Sequence, residues 1–253
     1  QSGNAGGTPA TPEASATFVV PSVELTIAIT PRFTVFAVNE PGLEHHTLRS
    51  RLEETPWLAP RPYVRPTLFS TRSRAGVRVS SGPIRITSHA GYRYAPSYRF
   101  VEAGPKVGYE RGFFRSNYES ARIAEAGASI ALQGFDRVQA IVRATIRDGQ
   151  LVDSETTVPF LSPLVVESAL SYSMMDGDAR VGAELGIESP RYVDRSETTE
   201  TGTVVDLDLT GSYRVTPSLD VVARLENVGA SFERYPGYER PPTTIGAGIR
   251  IHW

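Results

Sequence analysis

Apolar and polar side chains alternate along the C-terminal part of this chain, and this pattern limits what the chain can fold into. From Thr203 to Trp253 three segments carry an apolar residue at every second position. A period of two indicates a β-strand with two different faces. The polar faces carry charges of both signs, and the apolar faces continue to the aromatic Trp253. The pattern therefore predicts a β-barrel with an apolar outside that meets lipid and a polar interior, rather than a water-soluble sheet.

Composition excludes several other classes of protein. The chain has 253 residues and a net charge of -2, which suits one large domain and gives no basic excess for binding nucleic acid. Cysteine is absent, so disulfides, thiolate metal sites and cysteine nucleophiles are excluded. The chain has no apolar run of about 18 residues for a transmembrane helix, whereas a barrel strand needs only about ten alternating residues. Residues 1–15 are predicted to be a flexible N-terminal segment or loop, and residues 16–253 the barrel portion.

Eleven strands are predicted from the alternation. The fifth is rich in alanine, and its sequence also suits a helix. The predicted strands cover residues 17–30, 33–39, 74–80, 84–94, 124–133, 138–147, 166–174, 179–188, 205–215, 219–226 and 245–253.

The connections between these strands alternate strictly in length. Short turns join the members of each hairpin, whereas the other connections are long and cover residues 40–71, 95–119, 148–163, 189–202 and 230–242. Tight turns on one side and extended loops on the other are typical of outer-membrane barrels, whose turns face the periplasm. The alternation therefore favours an antiparallel up-and-down transmembrane barrel over a soluble all-β domain.

An odd number of strands is unusual for a complete bacterial barrel, which has an even number and both ends inside. One interpretation is that further strands come from upstream sequence or from another chain. The other is that one strand in residues 40–71 or 95–119 escapes the pattern.

Four short motifs carry a resemblance to a known family. They are the strand entry Asn117–Arg122, the proline-aromatic-proline stretch Pro159–Pro163, the pair Leu225–Val228 and Tyr235–Tyr238, and the aromatic-ended Ile249–Trp253. Together they resemble the C-terminal barrel portion of TonB-dependent receptors of the Gram-negative outer membrane, over residues 117–253. The resemblance implies a barrel of about 22 strands, of which eleven would be the second half. It also implies a plug and a TonB-type energy-coupling protein as partners, and energised uptake of a scarce nutrient such as a metal chelate or an oligosaccharide.

Three groups of residues are candidates for function. Charged residues predicted to face the interior could form a polar path or a plug-docking surface, or simply cross-strand ion pairs that stabilise the barrel. The last strand carries an expected assembly signal, and loop aromatics could stack on a ligand or form an aromatic girdle. The interior wall comprises Arg143, Arg180, Glu184, Asp206, Asp208, Arg214, Arg224, Glu226 and Arg250; the assembly signal comprises Ile249, Ile251 and Trp253; the aromatics are Tyr109, Phe113, Phe114 and Tyr118.

No catalytic constellation, metal site or cofactor motif is predicted. The pair His45-His46 beside Glu44 is better explained as a solvated loop, because sequence neighbours point apart in an extended chain. The expected function is uptake or reception of a small, unidentified ligand without catalysis, with outer-membrane lipid as a partner. The alternative is a non-transporting scaffold barrel that assembles with partner chains.

Overall fold

The fold consists of one large antiparallel sheet and one small two-stranded sheet. The computed structural model describes residues 21–47, 49–50, 57–59, 65–104, 113–133, 135, 137–229 and 243–252. Its strands are β1 (Val23–Thr30), β2 (Phe33–Asn39), β3 (Gly42–Glu44), β4 (Thr67–Phe69), β5 (Thr71–Ser81), β6 (Ile84–Ala103), β7 (Phe114–Leu132), β8 (Val138–Leu151), β9 (Leu164–Met174), β10 (Ala179–Glu188), β11 (Val204–Thr216), β12 (Leu219–Glu226) and β13 (Thr244–Ile251).

Each strand of the main sheet pairs with the next one along the chain. The sheet has eleven strands in the order β1-β2-β5-β6-β7-β8-β9-β10-β11-β12-β13, and β3 and β4 form a separate two-stranded sheet. All the pairs are antiparallel, and β10 and β11 match without a shift from Glu188 opposite Val204 to Ala179 opposite Tyr213. The predicted all-β, up-and-down arrangement of eleven strands is confirmed. Among the described strands β1 and β13 are the two edges, so the sheet is not closed.

The prediction that residues 95–119 form one long loop is wrong. Strand β6 continues to Ala103, and β7 already begins at Phe114. The reason is a β-bulge between Ala95 and Tyr98, where the register of β6 against β7 shifts. The bulge adds one residue to β6. One face of the sheet therefore carries the odd-numbered residues of β6 before the bulge and the even-numbered residues beyond it. The alternation is therefore broken at the bulge, although the strand continues.

Other predicted boundaries also change. Residues 40–71 contain β3 and β4, and β5 begins at Thr71. The alanine-rich fifth segment is a strand, and the long and short connections alternate as predicted. Residues 1–20, which hold the predicted N-terminal segment and the start of the first strand, lie outside the described residues, as do Gly134 and Asp136 of one predicted turn.

One face of the sheet, here called the outer face, is apolar and exposed. Ile146 is 58% exposed, Leu170 is 50% exposed and Ile249 is 67% exposed. In a water-soluble protein such rows would be covered by a second layer of structure. No helix in the described part of the chain is long and apolar enough to cross a membrane.

The buried core is small and lies at the end of the sheet that carries the long loops. Phe100, Ala121, Leu151 and Val158 form one cluster, against which Tyr98 and Leu161 pack. Most of the sheet has no such core, because its apolar side chains point outward. The core therefore stabilises the long loops rather than the sheet as a whole.

Candidate functional site: the inner face of the sheet

The face opposite the apolar rows, here called the inner face, is concave and polar. Residues from β7 to β13 line one cavity of about 1010 Å³, among them Ser171, Arg180, Thr210, Arg224 and Arg250. These residues alternate with the exposed apolar residues of the same strands, as the period of two requires. The nine charged residues of the predicted interior wall share this face by their positions in the strands, and that the face lines an enclosed interior stays a prediction.

Some of these charged residues form ion pairs across or along strands. Arg143 Nη1 lies 3.1 Å from Glu167 Oε2 on the neighbouring strand, and both side chains are about half exposed. Within β12, Arg224 Nη1 lies 2.9 Å from Glu226 Oε1. Because these pairs are open to solvent, each contributes about 0 to 1 kcal/mol to stability.

Arg214 connects two elements at the short-turn end of the sheet. Its guanidinium lies 3.8 Å from Asp178 and 3.8 Å from Asp220. The Asp220 carboxylate also lies 2.9 Å from Nε2 of His252, just after β13. The last strand is thus joined to its neighbour by side chains as well as by the backbone.

Three other members of the predicted wall lie outside the ion pairs found in the described part of the chain. Among the described residues Arg180, Glu184 and Arg250 have no opposite charge within 4.0 Å. Glu184 stands directly opposite Asp208, a residue of the same charge. Both line a second cavity of about 390 Å³ together with Glu167 and Asp206. Like charges opposite each other are destabilising, so cross-strand pairing does not explain this part of the wall.

Sequence reasoning missed a second charged region, on the inner face of β5 to β8. Arg72, Arg74 and Arg93 lie there, and the Arg93 guanidinium pairs with the Glu125 carboxylate. The alternation already placed Arg74 opposite the apolar residues of its strand, which was the available signal. The neighbours across the sheet depend on the register, which the alternation does not give.

The predicted loop aromatics take different places. Phe114 is the first residue of β7, is 3% exposed, and packs edge-to-face against Phe160 with ring centroids 5.6 Å apart. It therefore contributes to the core and is not available to a ligand or to lipid. Tyr118 also lies in β7, and its hydroxyl accepts a hydrogen bond from the backbone N–H of Arg65 at 2.6 Å. Phe113 directly precedes β7, and Tyr109 lies outside the described residues.

The predicted assembly signal is described in part. Ile249 and Ile251 lie on the outer face of β13, and both are more than half exposed. Trp253 lies outside the described residues. The role of this strand in assembly stays a prediction.

The loop between β10 and β11, residues 189–203, reaches over three strands to the ends of β6 and β7. Arg195 lies 3.2 Å from Glu102 of β6 and 3.6 Å from Glu119 of β7. The carbonyl of Val193 accepts a hydrogen bond from the N–H of Ala103 at 3.1 Å. Both glutamates continue the row of Glu125 on the inner face, so the loop is fixed to that face.

A carboxylate in the same loop makes a second attachment. Glu197 Oε1 accepts a hydrogen bond from the backbone N–H of Thr157 at 2.7 Å. Hydrogen bonds from the side chain and then the backbone of Thr157 lower the pKa of Glu197 below its ordinary value, because they favour the charged carboxylate. The loops after β8 and β10 are thus joined to each other.

Metal-ligating side chains do not converge in the described part of the chain. His46 Nε2 lies 3.0 Å from the Thr67 hydroxyl, and its other ring nitrogen lies 3.7 Å from Glu44. This histidine therefore joins β3 to β4. The inner face carries the chemistry that the structure offers, namely charged and hydroxyl groups around an open cavity.

Comparison with known proteins shows which solved structures have a similar fold. No family model and no curated protein matches the sequence. Several solved structures are similar to this one. The pyoverdine outer-membrane receptor FpvA of Pseudomonas aeruginosa matches with a TM-score of 0.60 and 13% sequence identity, and the match covers 92% of this chain and 36% of that chain. The ferric yersiniabactin uptake receptor FyuA of Yersinia pestis gives 0.58 at 12% identity, over 90% of this chain and 35% of that one. The copper transporter OprC matches with a TM-score of 0.57 and 14% identity, over 89% of this chain and 37% of that chain. The chain thus spans a little over a third of the length of these proteins.

Proposed function

We propose that this chain, which has the fold of the barrel of TonB-dependent outer-membrane receptors, is part of the wall of a receptor that binds and imports a small ligand across the outer membrane. The fold confirms the resemblance found in the sequence motifs. Ligand, transport and energy coupling belong to the proposal.

The observation that carries the proposal is the division of the sheet into two faces. Large apolar side chains are exposed on every long strand, and charged side chains fill the opposite, concave face. An exposed apolar face of this extent is stable only in contact with lipid, because in water it would aggregate. Outer-membrane barrels have this arrangement, with a polar interior through which a ligand passes.

The loops give the proposed orientation. The long connections fold onto one another around the core cluster of Phe100 and Leu151, whereas the opposite end of the sheet has tight turns such as Pro31-Arg32. In bacterial barrels the tight turns face the periplasm and the long loops face outward. The core cluster therefore lies at the extracellular end of the proposed barrel, where a ligand arrives.

The partners follow from the open sheet. The edges β1 and β13 need further strands, since unpaired backbone groups are unstable in hydrocarbon. A plug within the lumen and a TonB-type coupling protein are the partners that this kind of receptor implies. The charged and hydroxyl groups of the inner face can bind a polar ligand.

The test combines location with uptake. The protein should fractionate with the outer membrane on a density gradient. Deletion of its gene should lower cellular accumulation of one nutrient in a panel of metal ions, metal chelates and oligosaccharides. A protonophore should abolish the difference between the two strains, because import against a gradient needs energy from the inner membrane.

Two results would overturn the proposal. A protein found in the soluble fraction would remove the barrel from the membrane altogether. A protein in the outer membrane whose deletion changes no accumulation, and which copurifies with other outer-membrane chains, would be the scaffold alternative.

A further inference from the structure

A group of arginines on the inner face lies away from the cavities described above. It comprises Arg72 and Arg74 of β5, Arg93 of β6 and Arg147 of β8 around Glu125 of β7, the one carboxylate of the group among the residues that the structure describes, and is called the basic patch. Four arginines against one glutamate leave an excess of three positive charges. Four strands therefore contribute to one strongly basic region.

The register places like charges against each other. Arg72 is the direct cross-strand partner of Arg93. Opposed arginines destabilise a sheet unless an anion lies between them. Glu125 satisfies Arg93, to which it is paired, and stands opposite Arg147. One carboxylate is too few for the four guanidinium groups, so the patch is built at a cost in stability.

Two glycines in the basic patch leave room for neighbouring side chains to lie against the backbone of the sheet. Glu125 lies over Gly91, since a Cβ added there would come within 3.2 Å of the Glu125 Cγ. Next to it the His89 ring lies over Gly127, where an added Cβ would be 2.6 Å from the His89 Cε1. Side chains that lie flat along the wall leave the space above them open. A ligand can therefore approach the guanidinium groups from the lumen.

The basic patch holds two exposed guanidinium groups and one buried donor that lacks a partner among the described residues. The Nε of Arg147 is buried and has no hydrogen-bond partner in the described part of the chain. Arg72 and Arg74 are exposed, and the Arg72 guanidinium is held over the ring of Phe69 at 5.8 Å from its centroid. A guanidinium offers five N–H donors in a planar fork that fits a carboxylate or a phosphate group.

A cluster of carboxylates lies elsewhere on the inner face, on β10 and β11. Glu184, Asp206 and Asp208 on β10 and β11 line the cavity of about 390 Å³, here called the acidic cavity, and the Arg143–Glu167 ion pair lines the same cavity. A charge distribution divided in this way attracts and orients a ligand before contact.

We propose that the basic patch is an anion-binding site that holds a carboxylate or phosphate group in the lumen. The inference rests on the proposed function, and it names the chemistry of the group that the inner face would recognise. The group is carried by a soluble ligand or by an acidic side chain of a lumen-filling segment. Both use the same contacts to Arg72, Arg74 and Arg147, and the experiment separates them.

The experiment measures anion binding to the purified intact protein in detergent by calorimetry. The probes are citrate and inorganic phosphate at low ionic strength. The variant R72Q/R74Q removes the two exposed arginines and leaves the Arg93–Glu125 pair intact. Loss of two charge-assisted contacts should weaken citrate binding by about tenfold. Raising the salt concentration should weaken binding to the wild type as well, because the contacts are open to solvent.

The matched control is R32Q, which removes one exposed arginine from the β1–β2 turn, away from the inner face. It should bind citrate as the wild type does. Heat-modifiable migration in gels and melting temperature verify that each variant is folded. The single variant R74Q gives a second measurement if the double variant fails this check.

The outcomes separate the two sources and the contrary case. Tenfold weaker binding in R72Q/R74Q supports a site open to soluble anions. The second outcome combines two results: the wild type binds neither probe, and R72Q/R74Q lowers the melting temperature whereas R32Q does not. This outcome assigns the anion to an acidic segment of the protein itself. Equal binding by all variants, or no binding and no change in stability, overturns the inference. The gene-deletion uptake test does not depend on Arg72 or Arg74, so the proposed function can stand when this inference fails.

Discussion

Leu170 and Ser171 are adjacent in β9, and they meet different surroundings. Leu170 is half exposed on the apolar face, whereas Ser171 points to the other face, where it stands opposite Gln139 of β8 and Gly182 of β10. The two residues share the same strand, backbone pairing and height in the sheet. A charge introduced at one or the other therefore reports on the surroundings alone.

We expect Leu170→Arg to destabilise the folded barrel by about 2 to 4 kcal/mol, because a guanidinium in the hydrocarbon region loses its hydration. Ser171→Arg places the same group in the polar lumen and should cost less than about 1 kcal/mol. Unfolding by denaturant in phospholipid vesicles measures both values. Equal costs for the two variants would contradict the assignment of the faces.

The Glu197 carboxylate gives a prediction for pH. Its pKa is lowered below the ordinary value of 4.5 by the hydrogen bonds from Thr157, so the folded state favours the ionised form. The attachment between the loops is therefore fully present above pH 4.5 and is lost as the pH falls through the lowered pKa. A nitroxide on a cysteine at Thr203 should become mobile only in that acidic range.

Glu197→Gln is the matched variant, since it keeps the shape and removes the charge. Its label should be more mobile than that of the wild type at neutral pH and should not respond to acid. A label whose mobility changes with pH in both proteins would show that another group controls the loop.

At the scale of the elements, the bulge in β6 explains both a failure of sequence reasoning and the position of the core. The alternation predicted the strand up to Tyr94 and not the part beyond Pro96-Ser97, because the inserted residue reverses which positions face inward. Beyond the bulge Phe100 and Glu102 share the inner side with Glu119, and the β10–β11 loop attaches to them. Such an attachment is between residues far apart in sequence, so no local pattern could reveal it.

Arg195 makes the testable contact in this element. Its guanidinium pairs with Glu102 and Glu119 and lies 5.7 Å from the centroid of the Phe100 ring. We expect Arg195→Gln to weaken the attachment by about 1 kcal/mol, given that the ion pairs are partly exposed. Limited proteolysis should then cut residues 189–203 about fivefold faster.

The control for this prediction is Arg137→Gln, which removes an exposed ion pair with Asp176 at the opposite end of the sheet. It should leave the cleavage rate of the loop unchanged. Equal cleavage of wild type and Arg195→Gln would show that the backbone contacts of Val193 suffice to hold the loop.

At the scale of the whole molecule, the period of two was enough to predict the fold class and the eleven strands of the main sheet. Each of these depends on a local rule that holds in every strand. The basic patch and the acidic cavity could not be predicted, because they arise from the register of strands such as β5 and β6, which backbone pairing and the bulge determine. The ligand depends on residues of several strands together and on partner segments.

The central claim is that the apolar face of the sheet meets lipid and the charged face meets an enclosed interior. The chain has no cysteine, so single cysteines from Val166 to Met174 in β9 can each carry a fluorescent label in the protein folded into vesicles. The measurement is quenching by brominated lipid chains. The account predicts strong quenching at Val166, Ser168, Leu170 and Tyr172 and weak quenching at the residues between them. Quenching that is uniformly weak along β9, or that does not alternate, would contradict it.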